Sequence, residues 1–237
     1  MEIAAGVYDI GQGTYRSSYV HAFLVDDGNG LTLIDTLFEN EPKRILRQIE
    51  AIGKNTSDLE RIVLSHAHRS HLGGLAALKR LSGAKVYCHE WEADIVSGDR
   101  KAQSVTWRPT NPLRTYPIQM GHNLGVAKHP PCGVDHTLRG GEELGPLKVM
   151  HSPGHSPGHL SFYWPERRVL LCGDAIVTWP AFMLGWPGFT LNHKQQRASL
   201  DRLAELDVEV LGVGHGDPIT SEGGKRLGAL VDSRGGA

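Results

Sequence analysis

Apolar positions along the first hundred residues recur in two rhythms, and the switches between them predict the elements. Ile3–Ile10, Tyr19–Val25 and Leu31–Ile34 are short apolar or alternating runs, the pattern of strands. Asp26-Asp27-Gly28-Asn29-Gly30 supplies a hairpin between the last two. Gly11-Gln12-Gly13-Thr14 reads as a turn after the first. From Glu41 to Ile52 the spacing becomes helical, with Ile45, Leu46, Ile49 and Ile52 on one face, Pro42 in the first turn and Gly53 as the stop. Leu59–Leu64 is a buried strand. Leu72, Leu75, Leu78 and Leu81 then mark a helix that opens near Ser70 and closes at Gly83, before a strand at Lys85–Cys88.

Periodicity fails across residues 97–137, which are rich in Pro, Gly and His and include Trp107, Tyr116, His122, His129 and His136. A segment of this kind inside a compact chain predicts a functional loop or a mobile one. Beyond it, Thr137–Glu142 leads into a strand or hairpin at Leu144–Met150. Leu160–Trp164 and Arg168–Leu171 read as strands joined by a turn at Pro165-Glu166-Arg167. A helix over Lys194–Leu206, a strand over Val208–Val213 and a short helix over Glu222–Val231 close the chain. Strands followed by helices thus occur twice. The expectation is an α/β (α+β) fold in a single domain, 1–237, whose halves (about 1–100 and 138–237) pack sheet to sheet with helices outside.

Composition narrows the partners. The 237 residues carry a formal net charge of −1, so there is no basic footprint for nucleic acid or an anionic membrane. The three cysteines, Cys88, Cys132 and Cys172, are odd in number and widely spaced, which excludes a disulfide framework. The start, Met1-Glu2-Ile3-Ala4, lacks the basic and apolar regions of a signal peptide, and no apolar run approaches a membrane span. These features predict a cytoplasmic protein acting on a small molecule; they leave the oligomeric state open, a homodimer included.

The 13 histidines carry the chemistry. His66, His68 and His71 follow the apolar run Arg61-Ile62-Val63-Leu64, on a strand-to-helix turn of the kind where α/β sheets place their sites. A neutral imidazole is the commonest metal ligand. Taken alone, the three histidines also admit the reading of solvated loop residues. A second cluster, His151-Ser152-Pro153-Gly154-His155-Ser156-Pro157-Gly158-His159, cannot be helical because of its two Pro-Gly pairs, so only some of its rings can face one point. Asp174 and His215 each follow another apolar run. Five imidazoles and a carboxylate at four strand ends exceed one tetrahedral ion and fit two, bridged by Asp174.

With those positions in place the chain resembles the metallo-β-lactamase superfamily along nearly its whole length. The family motif His-x-His-x-Asp-His, then His, a bridging Asp and a final His, is matched by His66, His68, His71, His155, Asp174 and His215. The resemblance implies an αββα four-layer sandwich. It implies a first metal held by His66, His68 and His155, and a second by His71 and His215, with Asp174 bridging. Zinc is the metal implied, with iron and manganese as alternatives. Asp35 resembles the carboxylate that orients a histidine ligand, although it also reads as a helix cap. His151 and His159 match the flanks of the family loop, outside its ligands.

One position departs from the pattern: Ser70 stands where the family has a ligating aspartate. Serine also caps helices well. Its presence predicts a strong first metal site and a weaker second one, and makes Ser70, with Asp174, the residue on which catalysis turns. The implied chemistry is attack by metal-bound hydroxide on an ester, lactone, thioester or β-lactam carbonyl. Loss of the aspartate disfavours poor leaving groups, and therefore β-lactams. A mono-iron persulfide dioxygenase-like enzyme, using His66, His155 and Asp174, is one alternative. A degenerate metal-binding protein without turnover is the other. Only 22 residues follow His215, too few for the helical region of a glyoxalase II-like enzyme. No inserted nuclease domain or flavin domain is visible. Trp179, Phe182, Met183, Trp186 and Phe189 are expected either to line the substrate pocket or to pack as core.

Overall fold

In the computed structural model, which describes residues 1–14, 18–126 and 128–233, two sheets lie face to face between layers of helices. The N-terminal half supplies β1 (Glu2–Ala4), β2 (Val7–Thr14), β3 (Ser18–Asp26), β4 (Leu31–Ile34), α1 (Lys43–Ala51), β5 (Leu59–Val63), α2 (Leu75–Ser82), β6 (Lys85–His89) and α3 (Ala93–Ser97). Next come α4 (Tyr116–Leu124) and β7 (His136–Leu138). The C-terminal half supplies β8 (Glu143–Leu144), β9 (Leu147–His151), β10 (Leu160–Trp164), β11 (Val169–Leu171), β12 (Ile176–Val177), β13 (Met183–Leu184), α5 (His193–Ala204), β14 (Val210–Gly212) and α6 (Gly223–Asp232).

Strands β1 to β7 form one sheet in chain order, antiparallel as far as β4 and parallel from β4 to β7. The second sheet runs β14-β11-β10-β9-β8, and its β11–β14 pair is parallel. Parallel neighbours need a crossover, which the helical segments provide.

Strand alternation assigns the side chains to three apolar interfaces. Along β3, Ala22 and Leu24 join Ile45, Ile49, Leu75 and Leu78 beneath the N-terminal helices. Phe23 and Val25 point the other way and meet Val149, Phe162, Val169 and Leu171 between the sheets. Tyr163, Leu170 and Leu211 face Leu200, Leu203 and Leu227 of α5 and α6. Three such interfaces make four layers, αββα. Each fully buried aliphatic side chain contributes about 1.5–3 kcal/mol, so the layering follows from the binary pattern.

Four expectations need correction. The first strand is two, β1 and β2, reversed at Ala5–Gly6. Gly11–Thr14 is not a turn but the end of β2, because the β2–β3 ladder runs unbroken from Val7↔Val25 to Thr14↔Ser18. Ser70 does not open the second helix. It sits inside a single 3₁₀ turn, Arg69–His71, and α2 begins only at Leu75. The intervening Gly73 and Gly74 donate to the carbonyls of Leu37 and Thr36, which ties them to the neighbouring loop instead of the helix. Finally, residues 97–137 are not loop throughout, since they hold α4 and a 3₁₀ turn at Leu113–Thr115. The inward face of α4 includes the buried Gln119, while Ile118 and Leu124 are exposed, so its periodicity is inverted with respect to a core helix. No helix among the described residues is long and apolar enough to cross a membrane.

Candidate metal centre

The strands deliver their chemistry to one edge. Asp35 follows β4, and His66 follows β5. His155 follows β9, Asp174 follows β11 and His215 follows β14. Parallel pairing sets the neighbours. Leu171 pairs with Gly212, so Asp174 and His215, each three residues further on, arrive side by side. Gly214 permits this approach, because a Cβ there would lie 1.9 Å from Asp174 Oδ1. The carbonyl of Gly214 also accepts from the His21 N–H (3.0 Å), which joins the two sheets at the site.

All six family-motif residues come together. His66, His68, His155 and Asp174 form one group of converging ligand atoms, and His71, Asp174 and His215 form another, each within 4.8 Å. Asp174 Oδ2 lies 3.8 Å from His66 Nε2, 3.5 Å from His155 Nε2 and 3.2 Å from His215 Nε2. Asp174 Oδ1 lies 3.4 Å from His71 Nε2. His68 Nδ1 and His155 Nε2 face each other at 2.9 Å, a distance at which two imidazoles share one proton or one cation. None of the six is more than 8% exposed. His66 Nε2, His71 Nε2 and Asp174 Oδ1 are buried without a hydrogen-bond partner among the described residues. Buried polar atoms of this kind call for an ion or water. Imidazole nitrogens with a shared carboxylate are the donor set of a borderline-soft divalent cation, so the residues fit a metal.

In the first ligand group the electrostatics agree. Burial, with neighbouring imidazoles, holds His66 and His68 well below their ordinary range, and burial pushes His155 down to about 3 against the pull of Asp174. These rings are therefore neutral, the form a metal needs. Burial alone would lower His71 too, but the Asp174 and Asp35 carboxylates lift it to about 10. Burial opposes ionisation of Asp174, yet His215 and His71 beside it keep it well below the usual carboxylate range.

A second layer orients these groups. Asp35, 3% exposed and in a left-handed conformation (φ 61°), accepts from Ser65 N (2.8 Å) and Ser65 Oγ (2.7 Å) and lies 2.9 Å from His71 Nδ1. Ser65 Oγ is in turn 3.0 Å from His66 Nδ1. One carboxylate thus sets a ring in each ligand group and does not cap a helix. His159 Nε2 accepts from the Asp174 N–H at 3.1 Å, so its Nδ1 carries the proton that faces Ser152 Oγ at 2.9 Å. His151 lies away from the cluster, stacked on His89 at 4.6 Å.

The five aromatic and methionine candidates divide. Trp186 and Phe189 are buried together with Val105 and Val177, and Trp179 and Met183 pack against them. Phe189 stands 6.0 Å from the His68 ring, and Trp186 is stacked on His215. Phe182 is the exception, packing against the α5–α6 core because its position in the loop before β13 turns it toward that layer. Ser70 is half-buried in its 3₁₀ turn. Three residues stood outside the sequence reading of the site. Ser65 adjoins the histidine motif, a local cue. His122 of α4, whose ring lies 4.9 Å from that of His68, falls in the aperiodic 97–137 segment without being singled out there, and Glu92, buried beneath both histidine loops, carries no local signal.

Fold and cluster together define an αββα protein built to hold metal at the edge of its paired sheets. The chain belongs to the metallo-beta-lactamase superfamily, whose family model matches residues 16–215. It is 30% identical over 230 residues to the uncharacterized protein YobT of Bacillus subtilis, covering 92% of this chain and 91% of that one. It is 26% identical to a hydroxyacylglutathione hydrolase of Saccharophagus degradans, covering 81% of this chain and 58% of that one. It is 29% identical to the acyl-coenzyme A thioesterase MBLAC2 of Gallus gallus, covering 73% and 62%. Among solved structures, a metallo-beta-lactamase family protein of Thermus thermophilus, TTHA1429, superposes with a TM-score of 0.68 at 27% identity, covering 98% of this chain and 81% of that one. TTHA1623, solved in a di-iron-bound form, gives 0.65 at 28% identity, covering 96% and 97%.

Proposed function

We propose that this protein is a metal-dependent hydrolase that cleaves thioester or ester carbonyls, lactones included. The carrying observation is Asp174, whose carboxylate belongs to both ligand groups. In this reading His66, His68, His155 and Asp174 hold a first divalent cation, and His71, His215 and Asp174 a second. Zinc suits this nitrogen-rich set. A bound divalent cation supplies Lewis acidity for the carbonyl and a nucleophilic water near neutral pH.

The chain's own residues do the rest. Asp35 and Ser65 fix the rings of His71 and His66, so their orientation needs no adjustment during turnover. Trp186 and Phe189 exclude bulk water from the buried ligands. Position 70 offers no carboxylate to assist a departing group. Cleavage therefore favours a leaving thiolate or activated alkoxide, which takes up its proton from solvent, over the amide nitrogen of a β-lactam. The likeness to an acyl-coenzyme A thioesterase supports the thioester. With three ligands against four, the second cation is the weaker one.

The test is a panel of an acyl-coenzyme A thioester, an aryl ester, a lactone and a β-lactam, assayed with protein loaded with zinc, manganese or iron. The expected result is turnover of the first three above an Asp174→Asn background. The reading fails if no carbonyl substrate is turned over. It also fails if the iron-loaded protein instead consumes oxygen with a persulfide.

A further inference from the structure

Glu92 is buried (2% exposed) and takes no part in the chemistry above. It lies immediately before α3 and makes no side-chain cap bond to it. Its carboxylate turns the other way and accepts three hydrogen bonds. Oε2 accepts from the Ala67 N–H at 3.3 Å, while Oε1 accepts from Ser156 Oγ at 2.5 Å and from the Gly158 N–H at 3.1 Å. Ala67 lies between His66 and His68, and Ser156 directly follows His155. The two oxygens therefore hold two loops that are remote in sequence, and those loops carry all three imidazoles of the first ligand group. The fit is close on the far side as well. A Cβ at Gly158 would lie 2.7 Å from Glu92 Cγ, so only glycine lets that loop reach the carboxylate.

We infer that Glu92 is a positioning residue that sets the spacing between the His66–His68 loop and the His155 loop, and thereby the affinity and geometry of the first metal site. This rests on the metal-site reading above. Each loop ends a strand of a different sheet, β5 in one and β9 in the other, so no ladder joins them; one backbone bond, from the Leu160 N–H to the Ser65 carbonyl at 2.8 Å, ties the two segments before His66, and Glu92 ties them beyond it, at Ala67, Ser156 and Gly158. Two of the three partners, the Ala67 and Gly158 N–H groups, can only donate, and they meet opposite oxygens of a carboxylate that accepts on both. Glutamine keeps the shape but must turn its NH₂ group toward the N–H of either Ala67 or Gly158. One side of the clamp is then lost.

The experiment uses the whole chain stripped of metal and titrated with zinc against a chromophoric chelator, and in parallel with cobalt(II) read by its visible absorption. Outer-layer partners of metal ligands affect affinity about 10–100-fold. Glu92→Gln is expected to weaken the first zinc equivalent by that factor and to change the cobalt band of the first equivalent. Its metal-free far-UV spectrum should match the parent. A merely structural role would lower stability while leaving the cobalt band unchanged. Should Glu92→Gln fail to fold, Ser156→Ala removes one donor and keeps the carboxylate, and is expected to weaken the first equivalent in the same direction. A folded Glu92→Gln, or failing that Ser156→Ala, with parental zinc affinity and cobalt spectrum overturns the inference. Failure of the parent itself to bind zinc or cobalt would overturn the metal-site reading instead.

Discussion

Trp186 lies almost flat on His215, with ring centroids 4.3 Å apart and planes 24° from parallel. Its indole N–H donates to the Trp179 carbonyl at 2.9 Å, so the ring that covers this imidazole is itself anchored. Trp186 is 3% exposed and also contacts Phe189 and Trp179. Trp186→Ala should lower the unfolding free energy by about 3–5 kcal/mol, the usual cost of emptying a large buried aromatic site. Trp186→Phe keeps a stacking face and should cost less. Urea unfolding of the two variants checks the order. Equal losses would mean that the stack contributes nothing beyond buried volume.

Asp35 touches both ligand groups, His71 directly and His66 through Ser65. Asp35→Asn removes the charge and one acceptor from a buried site. The expected outcome is a loss of about 10–100-fold in zinc affinity, seen in both equivalents because both rings lose their orientation. A chelator titration resolves them. If only the second equivalent weakened, the route through Ser65 to His66 would be without effect.

Position 70 bears on metal stoichiometry. The second group, His71, Asp174 and His215, is one ligand short of the first. Ser70→Asp places a carboxylate one residue from His71. The variant is expected to hold the second zinc at least about tenfold more tightly, about 1.4 kcal/mol, and the first as before. Metal content after dialysis against a graded chelator measures this. An unchanged second equivalent would mean that the 3₁₀ turn points residue 70 away from the site.

Much of this centre is legible in the chain because each ligand is announced locally. His66, His155, Asp174 and His215 each follow an apolar run, and a side chain just past a buried strand sits at a sheet edge. Asp35 is legible in the same way, although its two readings, helix cap or ligand orienter, are separated only by the contacts it makes. Phe182 shows where such reasoning stops. It belongs to the same aromatic run as Trp186 and Phe189, yet it packs into a different layer. The spacing of residues between Pro and Gly carries no period that tells one face from another.

By itself the sequence determined the four layers and the ligand types. Burial periodicity is a local property, and imidazole and carboxylate are what they are wherever the chain takes them. Tertiary structure decided the partnerships. The offset of β11 against β14 brings Asp174 beside His215, and the packing of α4 brings His122 against His68. The return of Glu92 to two loops, 25 and 64 residues away at Ala67 and Ser156, clamps the first ligand group. These contacts depend on register and on sheet-to-sheet docking. Both are set by the summed burial of many side chains, and no single segment encodes them.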